Sequence, residues 1–223
     1  AFDKFSGSAN LYFMEYKDML LETGKLSSSG YAIKENIYRG YRRGIELALA
    51  WTPMSYLRID ANATLSTNKI DNYISYVAVG DGYLGETKAI EYGKTDMLMS
   101  PSLTSMAKIS LTPWKESVSS SLKTTTFSID GKYVSKQYID NTARDEMSIP
   151  SYFVANLSVS HVFDLKSGEL GLSAYVNNLL NNKYDAYGWR WEEYYKESDT
   201  LYSGIGIYPQ ATTNVMFKVS YSF

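Results

Sequence analysis

Residues that could carry out catalysis or bind a metal are scarce in this sequence. It has no cysteine and one histidine, His161, so it offers neither a thiol nucleophile nor a cysteine and histidine set for zinc. His161 stands in a stretch of alternating apolar residues, which favours a residue at a membrane interface over a catalytic base. The formal net charge of −2 gives no strongly basic face for nucleic acid. The sequence therefore predicts a protein that is not an enzyme and has no cofactor.

One segment has the residue types of a ligand-binding surface. Its candidate substrate-binding residues are Tyr184, Tyr187, Trp189, Arg190 and Trp191. Aromatic faces can stack on a planar chelate or a sugar ring, and the charged groups can hold it in place. The same residues also fit an aromatic girdle of a membrane protein together with the internal packing of a long loop. The sequence favours this second interpretation and names no substrate.

The elements that position these residues are strands, because apolar and polar residues alternate along most of the chain. In residues 57–66 the apolar side chains fall at odd positions, and Arg58, Asp60 and Asn62 fall between them. Similar alternation is present at residues 41–51, 103–111, 153–160, 170–177 and 215–223, and two less regular segments cover residues 9–20 and 118–133. The pattern predicts eight strands. With 21 Tyr and 4 Trp, the composition suits surfaces that are half apolar and half wet.

The connections between these strands are predicted to alternate in length. Short turns are expected at residues 52–54, 112–114 and 164–168, and long connections at residues 21–39, 77–100, 135–148 and 178–210. Barrels of the bacterial outer membrane have short periplasmic turns and long extracellular loops. Charged residues such as Arg58 and Asp60 would be costly in hydrocarbon and fit a wet lumen. We therefore expect an all-β fold, an antiparallel transmembrane β-barrel segment whose C-terminus lies at the periplasmic rim.

Several motifs resemble one family of outer-membrane proteins. The run YVNNLLNNKY at residues 175–184 looks like the penultimate strand of TonB-dependent receptors, with Leu180 where phenylalanine is more usual. GYRRGIEL at residues 40–47 and WTP at residues 51–53 are similar to a strand and a turn of that family, as are residues 11–20 and 131–141. The resemblance covers nearly the whole chain.

A second resemblance concerns the final strand. Phe217, Val219, Tyr221 and Phe223 alternate up to a terminal aromatic residue, which resembles the assembly signal of outer-membrane barrels. An apolar strand with a free edge can pair with the barrel-assembly machinery before the barrel closes.

The resemblance implies an outer-membrane active-transport receptor of a Gram-negative cell. Residues 1–223 would be the C-terminal part of a 22-stranded barrel, its last eight strands, with the plug domain absent from this chain. Family substrates include ferric siderophores, haem, cobalamin and glycans. Partners would be the remaining strands and the plug, the TonB-ExbB-ExbD system acting through the plug, the assembly machinery, and lipid with lipopolysaccharide. The alternative that the sequence leaves open is a self-contained eight-stranded barrel serving as an adhesin or structural protein.

Overall fold

The structure, a computed structural model, describes residues 4–27, 29, 31–117 and 121–223. The strands are β1 (Lys4–Leu26), β2 (Ala32–Met54), β3 (Leu57–Val79), β4 (Thr87–Asp96), β5 (Leu103–Leu111), β6 (Thr126–Val134), β7 (Gln137–Tyr138), β8 (Ser148–Ile149), β9 (Tyr152–Leu165), β10 (Gly168–Asn177), β11 (Asp185–Tyr195), β12 (Thr200–Pro209) and β13 (Asn214–Ser222), with one 3₁₀ turn at Asp145–Met147. None of the helical residues described is part of a segment long and apolar enough to cross a bilayer.

Eight of these strands form one continuous antiparallel sheet, which we call the wall. Its order is β1-β2-β3-β5-β6-β9-β10-β13, so sequence neighbours lie side by side and the prediction of eight antiparallel strands is confirmed. Within the described residues, β1 pairs with β2 alone and β13 with β10 alone. The wall is therefore open at both edges rather than closed on itself.

The outer face of the wall is apolar because the strand registers align the alternating residues. One row across all eight strands consists of Phe5, Trp51, Ile59, Ile109, Ile129, Leu157, Val176 and Val215. Many of its side chains are exposed, Ile109 by 45% for example. An apolar surface of this extent on a sheet is suited to lipid.

The opposite, inner face carries charge. A neighbouring row places Asp60 beside Lys108, Lys108 beside Asp130, and Asp130 beside Asn156. The Asn156 side-chain amide donates to Asp130 at 2.8 Å, and Arg58 pairs with Asp60 at 2.6 Å. The predicted separation of an apolar face from a wet face is confirmed by these registers.

Strand bounds differ from the predicted ones at two connections. The long connection predicted at residues 21–39 is wrong. β1 continues to Leu26 and β2 begins at Ala32, so the two 23-residue strands form one tall hairpin. A bilayer needs only about 9–11 residues of a strand, so this hairpin extends beyond it. The strand predicted at residues 118–133 begins only at Thr126; residues 118–120 lie outside the described part, and turns occupy residues 121–124.

The alternation of short and long links holds less strictly than predicted. The links at residues 55–56 and 166–167 are tight turns, whereas the one between β5 and β6 spans residues 112–125. Conversely, three long connections carry structure of their own: β4 pairs with the upper part of β3, β7 pairs with β8, and β11 pairs with β12. We call β4, residues 135–149 and the β11–β12 hairpin the loop layer.

Two residues with positive φ redirect side chains toward the inner face in the upper wall. Asn72 has φ 56° and Asp18 has φ 55°, a left-handed conformation that Asn and Asp tolerate better than most residues. In β3 the buried positions are Asn68 and Ile70 before Asn72, and Tyr73 and Ser75 after it. Asn72 therefore allows Tyr73 to continue the inner face of Ile70.

A small apolar cluster forms at this level. Ile70, Tyr73 and Met97 are its buried members, and Met19, Leu21 and Tyr92 pack against them. The Tyr73 hydroxyl donates to the carbonyl of Glu22 at 3.0 Å, which satisfies a buried polar group. The cluster ties the tall β1–β2 hairpin to β3 and gives the loop layer a firm base.

Candidate functional site

The β11–β12 hairpin has two chemically different faces. Its register places Tyr187 opposite Tyr208, Trp189 opposite Gly206, and Trp191 opposite Gly204. Because alternate residues point the same way, the four aromatic side chains share one surface with the two glycines. We call the surface formed by Tyr187, Trp189, Trp191 and Tyr208 the aromatic face. Gly188, Arg190 and Glu192 point to the other side.

Glycines hold the two tryptophan rings down on the aromatic face. A Cβ on Gly206 would collide with the indole of Trp189, and one on Gly204 with the indole of Trp191, so each ring lies over the glycine of the neighbouring strand. Trp189 and Trp191 nevertheless remain 51% and 49% exposed. Tyr187 and Tyr208 pack on each other with ring centroids 5.6 Å apart. The result is a series of supported rings that are still open to solvent.

The opposite face of the hairpin is held by buried ion pairs. Arg190 pairs with Asp140 at 2.8 Å and also with Glu192. Glu192 contacts Arg144 as well, and its side chain is only 2% exposed. Arg190 further donates to the hydroxyl of Ser75 on β3 at 3.3 Å. We call Asp140, Arg144, Arg190 and Glu192 the ionic cluster; its two positive and two negative groups balance one another.

The ionic cluster rests on residues 135–149, which are themselves anchored to the wall. Asn141 accepts a hydrogen bond from the backbone of Leu98 at 2.9 Å, and the backbone of Met99 donates to Tyr138 at 2.8 Å. Within the segment, Asp140 accepts from the backbone and hydroxyl of Thr142 at 2.9 and 2.7 Å. One side of the hairpin therefore packs on residues 135–149, while its strand β11 also pairs directly with the top of β3, Glu193 beside Ala78 and Tyr194 beside Val79.

The tip of the hairpin is joined to the top of β3. The amides of Lys196 and Glu197 both donate to the Asp81 carboxylate at 2.8 Å, and these backbone hydrogen bonds, that of Glu197 first, lower the pKa of Asp81. Lys88 lies 3.5 Å above the Tyr194 ring. The Tyr194 hydroxyl donates to Asp199, and this bond is the main reason why the pKa of Asp199 is lowered.

The structure brings some of the candidate binding residues together and separates others. Tyr187, Trp189 and Trp191 share the aromatic face. Arg190 lies on the opposite side, with its guanidinium occupied by Asp140 and Glu192. Tyr184 precedes the hairpin and stacks on Tyr152 at 4.6 Å. Sequence reasoning missed Asp140 and Glu192 as partners of Arg190, and Arg144 as a second partner of Glu192. Asp140 and Arg144 belong to a separate loop, so their contacts leave no local pattern.

The candidate assembly residues lie along β13. Phe217, Val219 and Tyr221 pair with Ala174, Leu172 and Leu170 and continue the apolar outer face of the wall. The Tyr221 hydroxyl donates to the carbonyl of Ser167 at 2.8 Å, and Phe223 packs 6.3 Å from the Tyr221 ring. Phe217 and Val219 are 77% and 70% exposed.

His161 lies on the outer face opposite Leu172. Its Nδ1 is 2.7 Å from the Thr125 hydroxyl, and its ring packs edge-on against Phe163. Across the described residues no three acidic, histidine or cysteine side chains are grouped as a metal site would need.

Comparison with known proteins agrees with this architecture. Residues 1–179 match the family described as TonB dependent receptor-like, beta-barrel. The chain belongs to this family. TonB-dependent receptors are transport proteins of the Gram-negative outer membrane rather than enzymes. The family therefore confirms the expected outer-membrane location, the all-β barrel-segment fold and the prediction of a protein that is not an enzyme. No curated protein sequence gave a significant match.

Solved structures of TonB-dependent receptors share the fold at low sequence identity. The siderophore receptor PiuA from Acinetobacter baumannii superposes with a TM-score of 0.61 at 15% identity, over 96% of this chain and 26% of PiuA. The copper transporter OprC gives 0.63 at 14% identity, over 99% and 29%. The ferric yersiniabactin uptake receptor FyuA from Yersinia pestis gives 0.57 at 13%, over 98% and 28%. This chain spans about a quarter of the length of these receptors.

Proposed function

We propose that this chain supplies part of the wall and loops of an active-transport receptor. The receptor takes up a scarce nutrient, such as a ferric siderophore, haem, cobalamin or a glycan, and is energised through TonB. The observation that carries the proposal is the family match over residues 1–179. The open edges of the wall support it, because β1 and β13 each leave one side for strands outside residues 1–223.

Within that receptor, residues 1–223 are the last eight strands of a 22-stranded barrel. The plug domain and the remaining strands are its nearest partners, and the plug makes the connection to TonB-ExbB-ExbD. The charged row of Asp60, Lys108 and Asp130 on the inner face suits a wet lumen filled by a polar domain. The outer face suits lipid and lipopolysaccharide.

The orientation follows from the unequal ends of the wall. The loop layer lies at the end with the long connections, which faces the cell exterior in outer-membrane barrels. Tight turns at residues 55–56 and 166–167 mark the other end. This arrangement supports a C-terminus at the periplasmic rim.

We assign Phe217, Val219, Tyr221 and Phe223 to recognition by the barrel-assembly machinery. β13 pairs with β10 on one side and, among the described residues, is open on the other, and such an edge is a ready template for pairing. Replacing Phe223 with alanine should lower the amount of receptor that reaches the outer membrane, while the receptor that arrives keeps its heat resistance. Full delivery of that variant would contradict the assignment.

Energised uptake tests the main proposal. The intact receptor gene is deleted and restored in its own host, and accumulation of the growth-limiting nutrient is measured with and without a functional TonB. Uptake should require both the receptor and TonB. Nutrient entry that is unchanged without TonB would overturn the proposal and favour a passive pore.

The small, self-contained barrel finds no support in the pairing of the described strands. Such a barrel needs hydrogen bonds between its first and last strands, and within the described part of the chain β1 pairs with β2 only.

A further inference from the structure

We propose that the aromatic face binds a neutral oligosaccharide by stacking. The inference rests on the proposed transport function and adds a substrate class to it. Its basis is the linear arrangement of Tyr187, Trp189 and Trp191 on a single strand, the glycine support beneath the indoles, and the distribution of charge between the two faces of the hairpin.

The spacing of the rings suits an elongated ligand. Alternate residues of a strand are about 6.7 Å apart, so Tyr187, Trp189 and Trp191 present three successive rings along β11. Tyr208 widens the first of these positions by pairing with Tyr187. A chain of sugar rings offers successive apolar faces of CH groups, and these are attracted to the negative face of an aromatic ring.

The glycines make the surface ready before ligand arrives. The indoles of Trp189 and Trp191 are packed against backbone at Gly206 and Gly204, so little side-chain freedom is lost on binding. Their other surface stays open, as their exposure of about one half shows. A buried core position would have covered both sides of each ring.

The absence of cations on this face selects against anionic chelates. On this side of the hairpin, the only charged side chain among the described residues is Glu193, which accepts a hydrogen bond from Tyr195 at 3.1 Å. Arg190 points the other way and is already paired. At the tip, Lys88 and Lys196 are paired with Asp199 and Glu86. Carboxylate- or catecholate-bearing ligands need free arginine or lysine, whereas a sugar needs flat rings and hydroxyl partners such as Tyr187 and Tyr208.

The test uses the intact receptor, purified in detergent with its plug. Neutral linear hexasaccharides of glucose, xylose and mannose in their common linkages are the probes, and a ferric catecholate and haem are the competitors. Binding is followed by calorimetry and by tryptophan fluorescence. At least one hexasaccharide should bind, and the Trp189→Ala/Trp191→Ala double variant should bind it at least about tenfold more weakly.

Two further variants separate stacking from simple apolar contact and from loss of folding. The double change to phenylalanine keeps flat rings and should retain most of the affinity, whereas the double change to leucine keeps apolar bulk and should lose as much as alanine. Tyr83→Ala removes a ring that is 86% exposed on the β3–β4 turn and should leave binding unchanged.

The outcomes distinguish the site from the transport function. The proposal would be overturned if no hexasaccharide binds or if the leucine variant keeps full affinity. It would also be overturned if iodide fails to quench the tryptophan fluorescence because another segment covers the rings. TonB-dependent uptake of a ferric chelate that persists in the alanine variant would overturn it while leaving the transport function intact. Hexasaccharide binding without TonB-dependent uptake would support the site and contradict the transport function.

Discussion

In the wall, an outward side chain meets another outward side chain on each neighbouring strand, and the row from Phe5 to Val215 stays apolar across eight strands. In the loop layer, Arg190 meets Asp140 and Glu192 meets Arg144 across two separate connections. The wall repeats one local rule many times. The loop layer depends on a few specific contacts that occur once.

This difference affects how each region responds to change. Many equivalent apolar side chains form the outer face, so the loss of one of them removes only a small part of that surface. The ionic cluster has four members and low exposure, so removal of one charge leaves another buried and uncompensated. The hairpin that carries the aromatic face is thereby held by residues on its opposite side.

The largest effect is expected from Glu192→Ala. This change leaves Arg190 and Arg144 without their shared carboxylate, and breaking a buried ion pair costs about 3–5 kcal/mol. Hydrogen exchange of the intact receptor should become much faster in β11 and β12 while the wall strands keep their protection.

The neighbouring Glu193→Ala is the matched control for Glu192→Ala. Glu193 lies on the same side of the hairpin as the aromatic face, where it accepts a hydrogen bond from Tyr195 and lies over Gly80. It is not part of the ionic cluster, so its removal should change exchange much less. Equal effects of the two variants, or loss of protection throughout the wall, would show that the loop layer is not held by the ionic cluster.

An arginine on the outer face should have the next largest effect. Ala107 lies in the middle of β5 and faces outward beside Ala61 and Gly131. Arginine there should cost about 2–4 kcal/mol if it reaches the bilayer midplane, measured as urea unfolding in lipid vesicles. Met106→Arg is the adjacent control, because Met106 faces inward and its arginine can reach water. Equal costs at both positions would contradict the assignment of the two faces.

The sequence was sufficient for the wall because its pattern is local. Alternation such as Leu57, Ile59 and Leu65 appears in consecutive residues and identifies both the strand and its outward face. The ends of strands were harder. The top of β1 lacks regular alternation, because Met19, Leu20 and Leu21 are consecutive apolar residues and the first and last of them pack on the apolar cluster. The pattern that would have extended the prediction was therefore missing.

The loop layer was predicted only as a set of aromatic candidates. The hairpin itself left a signal that could have been used: Trp189 and Trp191 alternate with Arg190 and Glu192, and Gly204 and Gly206 alternate after the turn. The contacts of Arg190 with Asp140 and of Glu192 with Arg144 left none, because Asp140 and Arg144 belong to another connection. The inward turn of Tyr73 depends on a positive φ at Asn72, which residue type alone permits but does not specify.

The smallest effect is expected at the hairpin tip. The depressed pKa of Asp81 means that its carboxylate stabilises the contact with Lys196 and Glu197 at any pH above the ordinary aspartate value of 3.8. That contribution is lost only as pH falls through the lower folded-state pKa. The extra hydrogen-exchange protection of these two amides, relative to Asp81→Asn, should therefore stay constant from about pH 7 to about pH 5 and decline below 3.8. Asparagine keeps one acceptor oxygen, so the difference at neutral pH should be modest at this exposed site.

Asp164→Asn, at the other end of the wall beside Lys123, should leave the tip unchanged at every pH. A transition between pH 5 and 7 would mean that a different group controls the contact, and the tip would then be held by something other than the two hydrogen bonds to Asp81.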